Sequence, residues 1–94
     1  MYIITLKVIV MQFEQINELV QVLSYYDGQK MRPLRFLWRN RSYHVVAVNG
    51  IWNEALGRDR EYHFHVSTRE SGSFELIYNN AAMSWRIGRV MVEE

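Results

Sequence analysis

Apolar residues recur at every second position on both sides of a polar break within residues 33–48. They are Leu34, Phe36 and Trp38 before the break, and Tyr43, Val45 and Ala47 after it. This period is typical of half-buried strands, and pairing Trp38 with Tyr43 keeps the two apolar faces together. The pattern predicts a β-hairpin with Asn40-Arg41 as its two-residue loop, because Asn tolerates the positive φ that tight turns require.

Further strands are predicted on either side of this hairpin. Residues 3–10 form an apolar run rich in β-branched side chains, which indicates a strand. Residues 62–68 and 74–78 alternate again, and residues 85–92 predict a final strand. Joining the apolar faces of the first two segments pairs Val66 with Tyr78 and Thr68 with Leu76, which sets Arg69 opposite Glu75.

Two segments have mixed patterns. Between residues 12 and 26, apolar positions fit both a helical period and a strand period. We predict a short helix over 12–18 and a strand over 19–26, because Asp27-Gly28 then ends that strand with ordinary turn residues. Residues 51–61 are polar and charged, and they predict an irregular, mobile connection.

The fold predicted from these elements is mainly β, with a short N-terminal helix. It is a small curled antiparallel sheet or an SH3-like β-barrel of five to six strands. The 94 residues fit one domain, in which 1–18 form an N-terminal strand and helix extension and 19–92 form the β core.

Composition narrows the cellular setting. The chain contains no Cys, which removes disulfides, thiolate metal sites and Cys nucleophiles and is compatible with a reducing cytoplasm. The apolar run 3–10 lacks a basic leader and a cleavage site, and Lys7 interrupts it. We therefore predict a cytoplasmic protein with neither a signal peptide nor a membrane span.

Charge is distributed unevenly, although the formal net charge is only +1. Residues 28–53 contain no acidic side chain, and the basic ones there, together with a neighbouring histidine, form the candidate nucleic-acid-binding set: Lys30, Arg32, Arg35, Arg39, Arg41 and His44. Basic side chains near exposed Tyr25, Tyr26 or Trp52 suit phosphates and stacked bases of DNA or RNA. The competing interpretation is a solvated outer face whose arginines oppose edge pairing, because dedicated binders carry a more basic footprint.

Catalytic and metal patterns are sparse. His63 and His65 share one strand face, but without further ligand spacing we expect solvent-facing histidines and no metal. No G-x-S-x-G motif or phosphate-binding glycine loop occurs. The sequence therefore predicts a protein without catalytic residues or a cofactor, which is not an enzyme.

Three segments carry a resemblance to a known family: residues 33–45, 74–76 and 85–90. They are similar to a family of small uncharacterised bacterial proteins, described only as a domain of unknown function, some of which are encoded near genes for error-prone Y-family DNA polymerases. The similarity spans about 20–92, and family members commonly have Gly where this chain has Asn40. The resemblance implies a β fold and a bacterial DNA-repair setting with a polymerase subunit as a partner, and it assigns no functional residues.

Two functional hypotheses follow. The first is a non-catalytic binding module that contacts nucleic acid through the basic hairpin face. The alternative is a protein-interaction adaptor that pairs with itself as a homodimer, or with a polymerase subunit, through the strand predicted at 3–10, since an uncovered edge strand templates pairing.

Overall fold

Each strand of the sheet is antiparallel to the next one along the chain. A computed structural model describes residues 11–93. Its strands are β1 (Met11–Tyr26), β2 (Met31–Trp38), β3 (Arg41–Leu56), β4 (Asp59–Thr68), β5 (Ser73–Asn79) and β6 (Ser84–Glu93). β1 also pairs with β6, so the six strands close into a barrel. The prediction of a mainly β, antiparallel barrel is confirmed.

β1 takes part in two seams of the barrel. Its first half pairs with β6, as far as Val20 opposite Trp85, and its second half pairs with β2. The register shifts between Gln15 and Glu18, where Asn17 adopts a φ of 53°, as expected at a β-bulge. β1 therefore bends and turns from one neighbour to the other.

The helix predicted over 12–18 is wrong, since β1 is extended there. Phe13, Leu19 and Leu23 gave the apparent helical period, but these side chains lie exposed outside the barrel. Val20 and Val22 pack against the core at strand spacing. Backbone pairing with β6 therefore overrides the helical pattern. The strand predicted at 3–10 lies outside the described residues.

The predicted register of the central hairpin is shifted. Trp38 pairs with Arg41 and Phe36 pairs with Tyr43, so the two-residue loop is Arg39-Asn40. Both loop residues have positive φ, 50° and 65°, as a type I′ turn requires. The rings of Phe36 and Tyr43 stack with centroids 5.1 Å apart.

The register predicted for the β4–β5 hairpin is also wrong. Val66 pairs with Phe74, and His65, not Arg69, lies opposite Glu75. The connection from β4 to β5 is a closed loop in which the hydroxyl of Thr68 donates to the carbonyl oxygen of Ser71 at 2.7 Å. The loop therefore includes Thr68 and Arg69, which the predicted register had paired with Leu76 and Glu75.

The segment 51–61 is a hairpin rather than the predicted irregular connection. β3 continues to Leu56 and β4 begins at Asp59, with Gly57 at a φ of 63° in the turn. Within the described residues, β3 pairs with β2 only over Arg41–His44, and beyond that point it pairs with β4 alone. The barrel wall is therefore split between the start of β2 and the second half of β3.

The barrel interior holds an aromatic and aliphatic core. Its buried members are Phe36, Phe64, Val66, Phe74, Leu76, Trp85 and Ile87. Phe74 meets the rings of Phe36, Trp38 and Tyr43 in edge-on contacts. Burying each large side chain of this kind stabilises the fold by about 1.5–3 kcal/mol. Over residues 11–93, no helix is long and apolar enough to cross a membrane.

Candidate nucleic-acid interface and the His63 cleft

The residues of the predicted nucleic-acid-binding set lie along β2, in its two turns and at the start of β3. We call this set the basic strip: Lys30, Arg32, Arg35, Arg39, Arg41 and His44. Its lysine and four arginines are exposed. Lys30 ends the β1–β2 turn, and the strip extends to Arg39 and Arg41 at the other end of the strand, a length of about 30 Å at the usual rise per residue.

Apolar and aromatic side chains alternate with the cations of the basic strip. Arg32 lies opposite Tyr25, and Arg35 lies between Leu23 on one side and His44 on the other. Tyr25 is 58% exposed and Leu23 is 54% exposed. The outer face of β1–β2 is therefore both basic and partly apolar.

Two members of the basic strip have intramolecular partners. Arg39 lies over the Trp38 ring, 4.4 Å from its centroid, and donates to the Glu18 carboxylate at 3.2 Å. The Trp38 indole also donates to Glu18 at 2.8 Å, and these two hydrogen bonds, the indole first, lower the pKa of Glu18.

His44 is the second engaged member. Its Nδ1 lies 2.5 Å from a Glu70 oxygen, and its backbone N–H donates to the other Glu70 oxygen at 2.7 Å. These contacts lower the pKa of Glu70 to about 2. Among the described side chains, Lys30, Arg32, Arg35 and Arg41 have no carboxylate oxygen within 4.0 Å. Four of the six predicted residues are therefore available to a ligand.

A groove opens beside the basic strip, at the split in the barrel wall. It has a volume of 660 Å³, and we call it the tyrosine groove after its lining residues Tyr26, Met31, Ile51, Tyr62, Phe64 and Tyr78. Lys30 stands at its rim, and Tyr26 is 66% exposed. The sequence predicted that Tyr25, Tyr26 or Trp52 is exposed near the basic side chains. Of these three, Tyr26 lines the tyrosine groove.

A second cluster lies on the outer face of β3–β6, and we call it the His63 cleft. Its residues are Trp52, Glu54, Glu61, His63, Glu75, Arg86 and Arg89, and they line a cavity of 330 Å³. Outward-facing charged residues are normally solvated, yet the exposed fractions of Glu61, Glu75 and His63 are only 6–7%. His63 is therefore not the solvent-facing histidine that we predicted.

Two ion pairs form the walls of the His63 cleft. Arg86 donates to both oxygens of Glu61, at 2.5 and 3.0 Å, reaching across the buried Ile77 on β5. Arg89 donates to Glu75 at 2.7 Å from the neighbouring strand. The first pair lowers the pKa of Glu61 and raises that of Arg86, because each charge is hydrogen-bonded to the other.

His63 lies between these ion pairs, and its ring makes no hydrogen bond within the part of the chain that the structure describes. Trp52 stacks on its ring, with centroids 5.1 Å apart and 16° between the planes. Both ring nitrogens are buried, and neither has a hydrogen-bond partner among the described residues. The Nδ1 atom is 3.7 Å from a Glu75 oxygen, and the Nε2 atom is 3.9 Å from a Glu54 oxygen.

The donor set of the His63 cleft does not match a metal site. In the part of the chain that the structure describes, no group of three or more His, Asp or Glu side chains is arranged to hold a metal ion. Sequence reasoning identified the H-x-H pattern but missed Trp52, Glu54 and the arginines. The available signal was the presence of charged residues at outward positions of otherwise apolar strands, such as Glu61 and Glu75.

Comparisons with protein-family models, with curated proteins and with solved structures find no match for this chain. The interpretation of the basic strip and of the His63 cleft therefore depends on their geometry.

Proposed function

We propose that this protein is a non-catalytic module that binds single-stranded nucleic acid along the basic strip. The observation that carries this proposal is that Lys30, which has no carboxylate partner among the described residues, belongs to the basic strip and also lines the tyrosine groove. Proteins that bind single strands combine a basic track for the backbone with aromatic rings for the bases. Here the basic strip runs along the outer face of β2, and the tyrosine groove adjoins it at Lys30.

Each part of this surface has a separate role in the proposal. Arg32 and Arg35 bind phosphates, since their guanidinium groups have no carboxylate partner among the described residues. Tyr26 supplies an exposed ring on which a base stacks. Arg39 and His44 contribute less, because their side chains are already in contact with the carboxylates of Glu18 and Glu70.

The proposed setting follows from the sequence resemblance described above. A bacterial, cytoplasmic accessory protein that binds single strands fits a DNA-repair context, in which single-stranded DNA and a polymerase subunit are natural partners. The net charge of +1 favours modest affinity and rapid exchange over tight, permanent binding.

Fluorescence anisotropy tests the phosphate contacts. A labelled oligonucleotide of about 16 nucleotides is titrated at two salt concentrations, as single-stranded DNA, duplex DNA and RNA. We expect single strands to bind best, with affinity falling as salt rises. Arg35→Glu should weaken binding about tenfold or more and reduce the salt slope. Arg58→Glu, the same charge change in the exposed β3–β4 turn, is the matched control.

A second variant tests the stacking contact between the protein and the bases. Tyr26→Leu keeps an apolar side chain but removes the ring, and stacking is worth about 1–3 kcal/mol per base. We expect a loss of affinity that is nearly independent of salt. Equal effects of Arg35→Glu and Arg58→Glu, or no binding to any oligonucleotide at low salt, would contradict the proposal.

A second candidate function is protein interaction through strand pairing. Within the described residues, β3 beyond His44 has a strand neighbour on one side only, and Val46 and Ile51 are about 60% exposed along that segment. Unpaired strand edges accept a further strand. Light scattering of the full chain at several concentrations measures self-association. Ile51→Lys should return a dimer to monomer if this edge is used, and an unchanged mass would exclude it.

A further inference from the structure

We propose that the His63 cleft binds an organic ammonium group, either the end of a small polyamine or the side chain of a lysine. This site lies on the outer face of β3–β6 and is distinct from the basic strip. The acceptors that would hold the ammonium group belong to Glu54, His63 and Glu75. Trp52 covers the imidazole on its other side.

The unpartnered imidazole is the first argument. His63 is 7% exposed, and neither ring nitrogen hydrogen-bonds to any residue in the range 11–93. A buried polar group without a partner costs about 1–3 kcal/mol, and protein structures generally supply a partner. A donor arriving from a ligand would remove that cost.

The distances around His63 fit one additional donor. The Nδ1 atom and the Glu75 oxygen are 3.7 Å apart, which is too long for a hydrogen bond between them. Because both ring nitrogens are buried, the cleft has to open slightly before a ligand nitrogen approaches Nδ1 and the Glu75 oxygen to about 2.8–3.0 Å. A neutral imidazole has one acceptor nitrogen and one N–H, and Glu54 is positioned to accept from the latter after a small movement.

The distribution of charge selects a cation over an anion. Arg86 is fully engaged by Glu61, and Arg89 holds one oxygen of Glu75. The other oxygen of Glu75 and the carboxylate of Glu54 lack a donor among the described residues, so the groups that remain free are acceptors. An ammonium group offers three donors and a full charge, which matches these free acceptors.

The size and position of the cavity agree with such a ligand. Its 330 Å³ are bordered by the exposed side chains of Gln15 and Asn17, which leaves an approach from solvent. The side chain of Glu54 is 56% exposed and can close over a bound amine. The cavity therefore has room for an alkyl chain behind the ammonium group.

Calorimetric titration of the full chain tests the proposal. Putrescine represents a free polyamine, and Nα-acetyl-lysinamide represents a lysine side chain. 1,4-Butanediol, which has the length of putrescine without its charges, is the control ligand. We expect saturable binding of at least one amine with a Kd of about 1 mM and none of the diol.

Two variants and one control variant locate the site. Glu54→Gln removes one charge from the exposed rim and should weaken amine binding about tenfold or more. His63→Phe keeps a ring against Trp52 and removes the unpartnered nitrogens, so it should abolish binding while the melting temperature stays level or rises. Glu14→Gln changes the same charge outside the cleft and should leave binding unchanged.

The outcomes separate the sources of the ligand. Binding of putrescine alone assigns a free polyamine, binding of the lysine analogue alone assigns a protein side chain, and binding of both assigns the ammonium group as such. Failure of both amines to saturate at about 20 mM would overturn the proposal. Amine binding by the Glu54→Gln and His63→Phe variants that is as strong as that of the parent protein would overturn it as well.

Discussion

The indole of Trp52 lies parallel to the imidazole of His63 as its direct cross-strand neighbour, with ring centroids 5.1 Å apart. Trp52 is itself 37% exposed, so the stack forms the outer layer of the His63 cleft. The relationship explains how a polar ring on the outside of the barrel is kept from water.

Removal of the Trp52 ring should therefore loosen the His63 cleft. We expect Trp52→Ala to lower the free energy of unfolding by about 1–2 kcal/mol, since an aromatic pair contributes about 0.5–1.5 kcal/mol beyond its buried area. Urea unfolding of the parent and of this variant measures the loss. Trp52→Phe keeps a stacking partner and should retain most of the stability, and equal losses in both variants would contradict the role of the stack.

Removing one residue of the Glu61–Arg86 pair should destabilise the protein more than replacing both. Arg86→Met leaves the buried Glu61 carboxylate without a partner, and we expect a loss of about 2–3 kcal/mol, reduced from the fully buried case because Arg86 is 30% exposed. Replacing both residues, in Arg86→Met with Glu61→Leu, should recover part of that loss. Urea unfolding of the single and double variants measures the coupling energy. Additive losses would show that the pair does not act as a unit.

Replacing Gly88 even with alanine should destabilise the fold. A Cβ atom at this position would lie 2.5 Å from a Glu75 oxygen and 2.6 Å from the Ile77 Cδ1 atom. We expect Gly88→Ala to displace Glu75 from Arg89 and to cost about 1–3 kcal/mol in thermal unfolding. Gly50→Ala is the matched control, because its nearest atoms are 3.9 Å away. Equal melting temperatures for the two variants would refute the packing argument.

Acid should destabilise the fold through Glu70. Its folded pKa is about 2, against an ordinary value of 4.5, chiefly because of the hydrogen bond with the His44 side chain. A depressed carboxyl pKa contributes stability above the unfolded value, and this contribution is lost as the pH falls from about 4.5 towards 2. Glu61, whose pKa is also lowered, adds a loss of the same sign.

Unfolding midpoints measured from pH 6 down to pH 2 check this expectation. In Glu70→Gln the fall should be shallower, because the proton uptake at this site on unfolding is removed. Glu14→Gln, which changes an exposed carboxylate outside the two hydrogen-bonded sites, should follow the parent curve. A parent curve that stays level down to pH 2 would be contrary to the prediction.

The sequence predicts the strands of this barrel well and their registers poorly. Alternation of apolar residues locates the β2–β3 and β4–β5 hairpins because burial of one face imposes a period of two. The register depends on the turns, however. At Arg39-Asn40 both residues adopt positive φ, and an Arg in that conformation is uncommon.

In the candidate sites, the sequence could not predict the contacts between residues that are far apart along the chain. Glu61 and Arg86 are 25 residues apart in sequence, and Glu18 reaches Trp38 across 20 residues. Such contacts depend on how the barrel closes, which no local pattern specifies. The basic strip, in contrast, lies within one hairpin and its turns, so its exposure followed from the local sequence.

The bend of β1 at Asn17 has a consequence for how the chain acquires its structure during synthesis. Among the described residues, the first half of β1 pairs with β6, so that seam cannot form until β6 has emerged from the ribosome. Loop-closure entropy must be overcome before this contact forms. A nascent chain should therefore remain an open sheet, with the β2–β5 hairpins in place, until β6 emerges.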